Sequence, residues 1–200
     1  MKNSKIKPIS AAEHLDKIEK KAVKTYKNHV IASTRDNSWF IRHPKKQGYW
    51  TEIFNTLSGI LTCGDGELCM FLGGNYTNRV QWIGGRKQFD SYYCTQKAVM
   101  GTGYEACYSF DKFVLLHDLK EYLSDDGPNE QAKELLNEII EEIETDYIDV
   151  NEHKAFDICQ QLYNADPNYF ADVGGNPGRV ISRRVVYAWA AIRRLYLLIE

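Results

Sequence analysis

Cysteine and histidine are the residue types best able to do chemistry in this 200-residue chain, which has five of each. Cys63, Cys69, Cys94, Cys107 and His117 could supply a tetrahedral zinc site built from thiolates and imidazole. Such sites use closely spaced ligand pairs, and the chain has no Cys-x-x-Cys and no His-x-x-x-His. Scattered core thiols are the plainer account, so no metal is expected. A nucleophilic dyad would use Cys94 or Cys107 as thiolate and His117 as base. It needs a lowered thiol pKa and spatial contact, and neither is legible in sequence. Asp36, Asp65, Glu67 and Asp90 lie near loop tips. They form no spaced acid pair, and turn chemistry accounts for Asp36 and Asp65. No catalytic residue and no cofactor follow from these residues.

Phosphate chemistry has a different candidate. Gly174-Gly175-Asn176-Pro177-Gly178 precedes a predicted closing helix over 180–199. Free N–H groups at a helix N-terminus bind phosphate, so the 174–179 loop with Arg179 could serve a nucleotide or phosphate ligand. It lacks the Gly-Lys-Ser/Thr ending of a P-loop, and Pro177 as a helix-entry residue accounts for it. At 100° per residue, Arg179, Arg183, Arg193 and Arg194 fall within an arc of about 100°. That stripe suits phosphate, an acidic protein surface, or internal pairing with the acidic helix 130–146. Binding without chemistry is also written in the aromatics. Trp39, Tyr49, Trp50, Tyr92 and Tyr93 cannot all point inward on one sheet, because side chains alternate. Those left uncovered would form an interaction surface.

The elements that must position these residues change character along the chain. Ser10-Ala11-Ala12-Glu13 matches a capping box before a Lys-rich helix that runs to about Lys27. From 29 to 108 the pattern is β-formers between turn residues, the signature of an antiparallel meander. Strands are expected at 29–34, 39–42, 49–54 and 59–63. Asp65-Gly66 predicts a two-residue type I′ turn that sets Cys63 opposite Leu68 and Leu61 opposite Met70, with Cys69 on the other face from Cys63. A short helix over 76–83 and a last hairpin over 91–108, with Tyr92, Tyr93 and Cys94 on one arm, complete the β region. From Ser109, expected as a helix cap, the period becomes 3.6. The helices expected there are 109–125, one carrying Leu135, Leu136, Ile139, Ile140 and Ile143, one over 151–163, and the closing helix. The fold class is α+β: a meander with an N-terminal helix and C-terminal helices packed on it, in one domain over 1–200.

Composition narrows the partners. The chain is 44% hydrophobic with net charge −2, ordinary for a globular protein and without a global nucleic-acid footprint. The charge is uneven. Residues 1–46 hold twelve Lys/Arg against four Asp/Glu, residues 118–152 two against thirteen, and residues 179–200 five against one. No apolar run reaches the roughly 18 residues of a membrane span, so no membrane association is expected.

One block carries a family likeness. Arg42 and Pro44, Tyr49 and Trp50, Gly59, Gly64-Asp65 and Phe71 follow the order of an Arg-x-Pro strand end, a Tyr-rich strand, a Gly-led strand, and Gly-Asp before a Phe-containing strand. This pattern resembles a family of small proteins encoded by bacterial viruses and prophages. A weaker likeness runs through Tyr92-Tyr93 and Lys97 to Phe110-Asp111. The chain departs from the family at Leu57-Ser58-Gly59, where Trp-Pro-Gly is usual. It also departs at Asp65-Gly66, where one more residue usually intervenes. The resemblance implies a phage accessory protein in the host cytoplasm and transfers no catalytic residue.

The expected function is therefore non-catalytic binding of a host protein, for instance to counter host defence. Its contact residues would be Trp39, Tyr49, Trp50, Tyr92 and Tyr93 with Arg179, Arg183, Arg193 and Arg194. The alternatives are a small nucleotide- or phosphate-binding protein or enzyme using the 174–179 loop, and a nucleic-acid-binding protein. The acidic segment argues against nucleic acid. The edge of the meander leaves room for a homo-oligomer.

Overall fold

Ser10 opens α1 (Ala11–Tyr26) as the capping-box spacing predicts, its Oγ accepting a hydrogen bond from the Glu13 backbone N–H at 3.2 Å. Ala22 and Tyr26 are the buried residues of the helix, and Leu15 and Ile18 pack against the same core. The computed structural model describes residues 7–56, 59–65, 68–72, 79–87, 90–99, 107–145, 147–172 and 177–200, with the backbone alone for 68–72, 96–99 and 172. Gly66, Glu67, residues 76–78, residues 100–106 and residues 174–176 lie outside the described residues, as does the side chain of Cys69.

The meander is present. β1 (Val30–Arg35), β2 (Ser38–Arg42), β3 (Trp50–Asn55), β4 (Gly59–Gly64), β5 (Leu68–Leu72) and β6 (Ala98–Val99) form one six-stranded sheet in sequence order. Every neighbouring pair is antiparallel. Asp36, at φ 45°, makes the tight β1–β2 turn, a left-handed conformation that Asp tolerates.

The β4–β5 register differs from the one expected. Thr62 pairs with Leu68, Leu61 with Cys69 and Ile60 with Met70, one residue away from the type I′ alignment. That alignment required positive φ at Asp65, and the positive φ is instead at Gly64, at 105°. Gly64 is held there because the Asp65 N–H donates to the Trp50 carbonyl at 2.9 Å. The shift buries Ile60 and Thr62 and leaves Leu61 38% exposed, so Leu61 and Cys63 do not form the core row of this hairpin.

Two helices follow in the β region. α2 (Arg79–Gly84) is the expected short helix. α3 (Ser91–Lys97) stands where a hairpin arm carrying Tyr92, Tyr93 and Cys94 was expected. Its start is fixed by two side-chain acceptors, one adjacent in sequence and one from α1, that outweigh the β-propensity of Tyr-Tyr-Cys. Asp90 Oδ1 accepts from the Tyr93 N–H at 2.8 Å, and Glu19 Oε1 accepts from the Ser91 N–H and hydroxyl.

β7 (Tyr108–Phe110) and β8 (Arg179–Ile181) form a two-stranded sheet. The chain divides into two compact units, whose boundaries fall within α1, β7 and β8. The first, residues 1–14 and 109–180, contains α4 (Lys112–Ser124), α5 (Glu130–Glu144), α6 (Glu152–Ala165) and α7 (Pro167–Asp172). Asp111, and not Ser109, caps α4, its Oδ1 accepting from the Phe113 and Val114 N–H groups. The expected stripe of α5 buries Leu136, Ile139, Ile140 and Ile143 against Leu115, Leu116, Leu119, Ile158 and Leu162. Buried Asp166 accepts from the N–H groups of Asn129 and Tyr169, which ties the start of α5 to α7.

The second unit, residues 15–108 and 181–200, holds the meander, α2, α3, most of α1, and α8 (Arg183–Ile199). The closing helix was expected from Val180. Val180 and Ile181 are in β8 instead, and the helix begins after Ser182, whose N–H donates to the Cys107 carbonyl at 2.7 Å. Nine residues of α8 are buried, from Val185 to Leu195, so the helix lies inside the core as its apolar circumference predicts. Ile41, Ile53 and Ile60 of the sheet meet it there.

Gly64 is a sharp test of this register. A Cβ at that position would lie 2.4 Å from the Trp50 carbonyl oxygen and 2.8 Å from the Trp50 ring. Gly64→Ala is expected to lower unfolding stability by about 1–3 kcal/mol, read from urea midpoints at unchanged slope. An unchanged midpoint would reject the register.

Candidate functional site

The pairing of β2, β3 and β4 sorts their side chains into two faces. Ile41, Thr51, Ile53, Ile60 and Thr62 are buried on the inner one. The outer one carries Phe40 beside Glu52 and Cys63, Arg42 beside Trp50, and Ser38 beside Phe54 and Leu61. None of these outer residues belongs to the core cluster that gathers α1, α2, α3 and α8. Trp50 is 37% exposed, and its ring lies 5.6 Å from that of Phe40, tilted by 36°. This diagonal cross-strand pair is of the kind that stiffens an antiparallel face.

The loop between β2 and β3 extends that face. Arg42, Lys45 and Lys46 are exposed, and residues 42–50 contain no acid. Tyr49 is 46% exposed with the Lys46 ammonium 5.5 Å from its ring centroid, within cation–π range. A cleft of about 450 Å³ runs along the loop, with Phe40, His43, Tyr49 and Trp50 among its walls. Aromatic and cationic groups thus alternate on one surface of a unit that is itself cationic, with seventeen Lys/Arg against nine Asp/Glu. No family model, no curated protein and no solved structure matches this chain.

The residues expected at a contact surface separate. Tyr49 and Trp50 come together at the hairpin. Trp39 faces inward and packs on the core. Tyr92 is 53% exposed on α3, while Tyr93 lies under the Arg86 guanidinium, 3.8 Å from its ring centroid. The arginines do not form one helical stripe, because Arg179 is on β8. Arg183 is exposed at the start of α8 with its guanidinium over the Tyr187 ring. Arg193 donates to the carbonyls of Gly84 and Arg86 at the end of α2, and Arg194 donates through two nitrogens to the His29 carbonyl, both at 3.0 Å. The internal partners of these two are therefore backbone carbonyls, not the acidic helix. Phe40, Phe54, Arg42, Lys45 and Lys46 were missed. Strand parity identifies Phe40 and Arg42: once Trp39 and Ile41 face inward, their neighbours on β2 face out.

Among the described residues no group of three or more His, Cys, Asp or Glu is placed to hold a metal ion. The thiols are poor nucleophiles at neutral pH, because burial pushes Cys94 up to about 12 and Cys107 up to about 11. The glycine loop also differs from expectation. Pro177 and Gly178 lead into β8, not into a helix. The Gly178 N–H donates to the Asp118 carboxylate at 2.8 Å, and its carbonyl accepts from the Asp111 N–H. A carboxylate occupies the donor that a phosphate would need.

His29 is the chemically unusual group beneath the hairpin. It is fully buried, 4.7 Å from the Tyr26 ring and 5.7 Å from the His43 ring by centroids. The backbone of Thr25 and Tyr49 lies close enough to favour its protonated form, yet neither ring nitrogen makes a hydrogen bond of good geometry. Burial first, and then the facing His43, bring its pKa down to about 4. The folded protein therefore holds His29 neutral where the unfolded chain binds a proton. Stability from this group is fully present above about pH 6.5 and is lost as pH falls toward about 4, by up to about 3 kcal/mol. The unfolding free energy of the wild type relative to His29→Phe is expected to fall across that window. Parallel pH profiles for the two proteins would remove His29 as the cause.

Proposed function

We propose that the chain is a non-catalytic accessory protein of a bacterial virus that binds a host protein in the host cytoplasm. The contact surface is the outer face of β2, β3 and β4 with the β2–β3 hairpin. The observation that carries this reading is the pair of Phe40 and Trp50 left outside the core beside Arg42, Lys45 and Lys46. Exposed Trp, Tyr and Arg are the side chains that anchor protein interfaces. Uncovered aromatics on a sheet otherwise expose apolar area at a cost in solubility. The cations select an acidic partner and speed its approach. Countering host defence is the role that the viral resemblance suggests for such binding.

The nucleotide alternative has less support, since the Gly178 N–H is occupied by Asp118 and Gly178 leads into β8. Two buried thiols held protonated likewise favour binding over nucleophilic chemistry.

Affinity capture of the tagged chain from nuclease-treated bacterial lysate tests the reading. One stoichiometric host protein is expected, lost in Tyr49→Ala/Trp50→Ala and weakened about tenfold or more in Lys45→Glu/Lys46→Glu, with circular dichroism unchanged. Capture that both double variants retain would exclude this face. Capture of nucleic acid alone, when nuclease is omitted, would transfer the surface to the nucleic-acid alternative.

A further inference from the structure

We propose that the β2–β3 hairpin docks on the acidic end of α5 in a second copy of the chain, an inference that rests on the reading of the hairpin as a docking surface for an acidic partner. α5 closes on Glu141, Glu142 and Glu144, with no basic residue in its last turn. Glu138, Glu141 and Glu142 are exposed, and their spacing of three and four residues sets them on one side of the helix. Glu144 pairs with Lys120 of α4, whereas Glu138, Glu141 and Glu142 form no ion pair among the described residues. The Tyr147 N–H donates to the Glu142 carbonyl at 3.0 Å, which seats a side chain that is 80% exposed at this end of the helix.

That placement favours a cation from outside the helix. The C-terminus of a helix carries partial negative charge, so acids in its last turn are unfavourable. Like charges three and four residues apart repel as well. Lys or Arg groups set against this end relieve both penalties. The hairpin supplies such groups. Arg42, Lys45 and Lys46 are exposed, and with Tyr49 and Trp50 they line the cleft of about 450 Å³. None of these three cations forms an ion pair among the described residues, and residues 42–50 contain no acid.

Charge complementarity identifies the occupant as a second copy. The acidic end belongs to a unit with eight Lys/Arg against eighteen Asp/Glu, and the hairpin to one with seventeen against nine. Long-range attraction and local contact therefore have the same sign. Tyr147 offers the hairpin cations an aromatic ring, as Tyr49 already does for Lys46. Each copy carries both surfaces, so a reciprocal pair closes on itself and a one-way contact extends into a chain of copies. Either assembly covers the hairpin, so the second copy and the host protein compete for it.

Sedimentation velocity of the full chain over a range of concentrations is the test, run at about 0.1 M and about 1 M salt, where the screening length is about 10 Å and about 3 Å. Mass that grows with concentration is expected at the lower salt, with a dissociation constant about tenfold or more higher at the upper one. Lys45→Glu/Lys46→Glu and Glu141→Lys/Glu142→Lys should each associate about tenfold or more weakly alone, because each sets like charges face to face. Mixed in equal amounts, the two variants should associate as the wild type does. The acidic hairpin of one then meets the basic helix end of the other, and the two unaltered surfaces meet as before. All four residues are exposed, so the variants are expected to fold, and the salt series needs only the wild type if they do not. A wild type that stays monomeric at the lower salt, association indifferent to salt, or a mixture of the two folded variants that remains monomeric would each overturn the proposal. Capture of a host protein by a chain that stays monomeric would overturn this inference and keep the host-protein reading, and self-association with no host protein captured would do the reverse.

Discussion

The second unit depends on the burial of α8. Trp189 is fully buried and its indole N–H donates to Thr95 of α3 at 3.0 Å. Four residues later Arg193 satisfies carbonyls at the end of α2, and Arg194 satisfies the carbonyl of His29 between α1 and β1. On the same helix Val186, Ala190 and Ile192 lie in the cluster that also takes in Ile41, Ile53 and Ile60 of the sheet. Each large apolar side chain buried this way contributes roughly 1.5–3 kcal/mol relative to exposure. One helix thus supplies apolar contact to the sheet, a side-chain hydrogen bond to α3, and donors for the carbonyls that follow α1 and end α2. Its arginines therefore have structural work, which separates them from the outward-facing Arg183.

The inner face of the sheet is committed by that helix, and this commitment leaves the outer face available. Parity does the sorting. With Ile41, Thr51, Ile53 and Thr62 turned inward, Phe40, Arg42, Trp50 and Phe54 have no alternative but the other side. Buried Thr51, immediately after Trp50, is anchored by a hydrogen bond with the Tyr26 hydroxyl at 2.8 Å. The same connection therefore fixes the inner packing and the strand that displays the outer aromatic. Charge is divided as sharply as apolarity. The unit with the meander has net charge +8, and the unit with α4 to α7 has −10, so the overall value of −2 conceals two opposite fields.

Burial also decides which reactive side chains are silent. Cys94 and Cys107 are held as thiols, and His29 is held neutral, because the protein interior penalises the charged form of each. Residue types that could do chemistry are present, but the interior places them where they pack.

The sequence by itself determined the α+β class, the meander, the capping of α1 by Ser10, and the apolar stripe of α5, because each rests on local periodicity or on a cap within three or four residues. The buried character of α8 was legible for the same reason. Only the tertiary structure decided the rest. Asp90 and Glu19 made Ser91–Lys97 a helix, through an acceptor 72 residues away in the chain. The Asp65 N–H bond to Trp50 moved the positive φ to Gly64 and shifted the β4–β5 register by one residue. The apolar stripes showed that α4 to α6 bury one face, but a stripe does not say against what, and these helices gather a core of their own. Likewise, composition showed surplus aromatics and arginines. Long-range pairing chose Trp50 for the surface, Trp39 for the interior, and backbone carbonyls as the partners of Arg193 and Arg194.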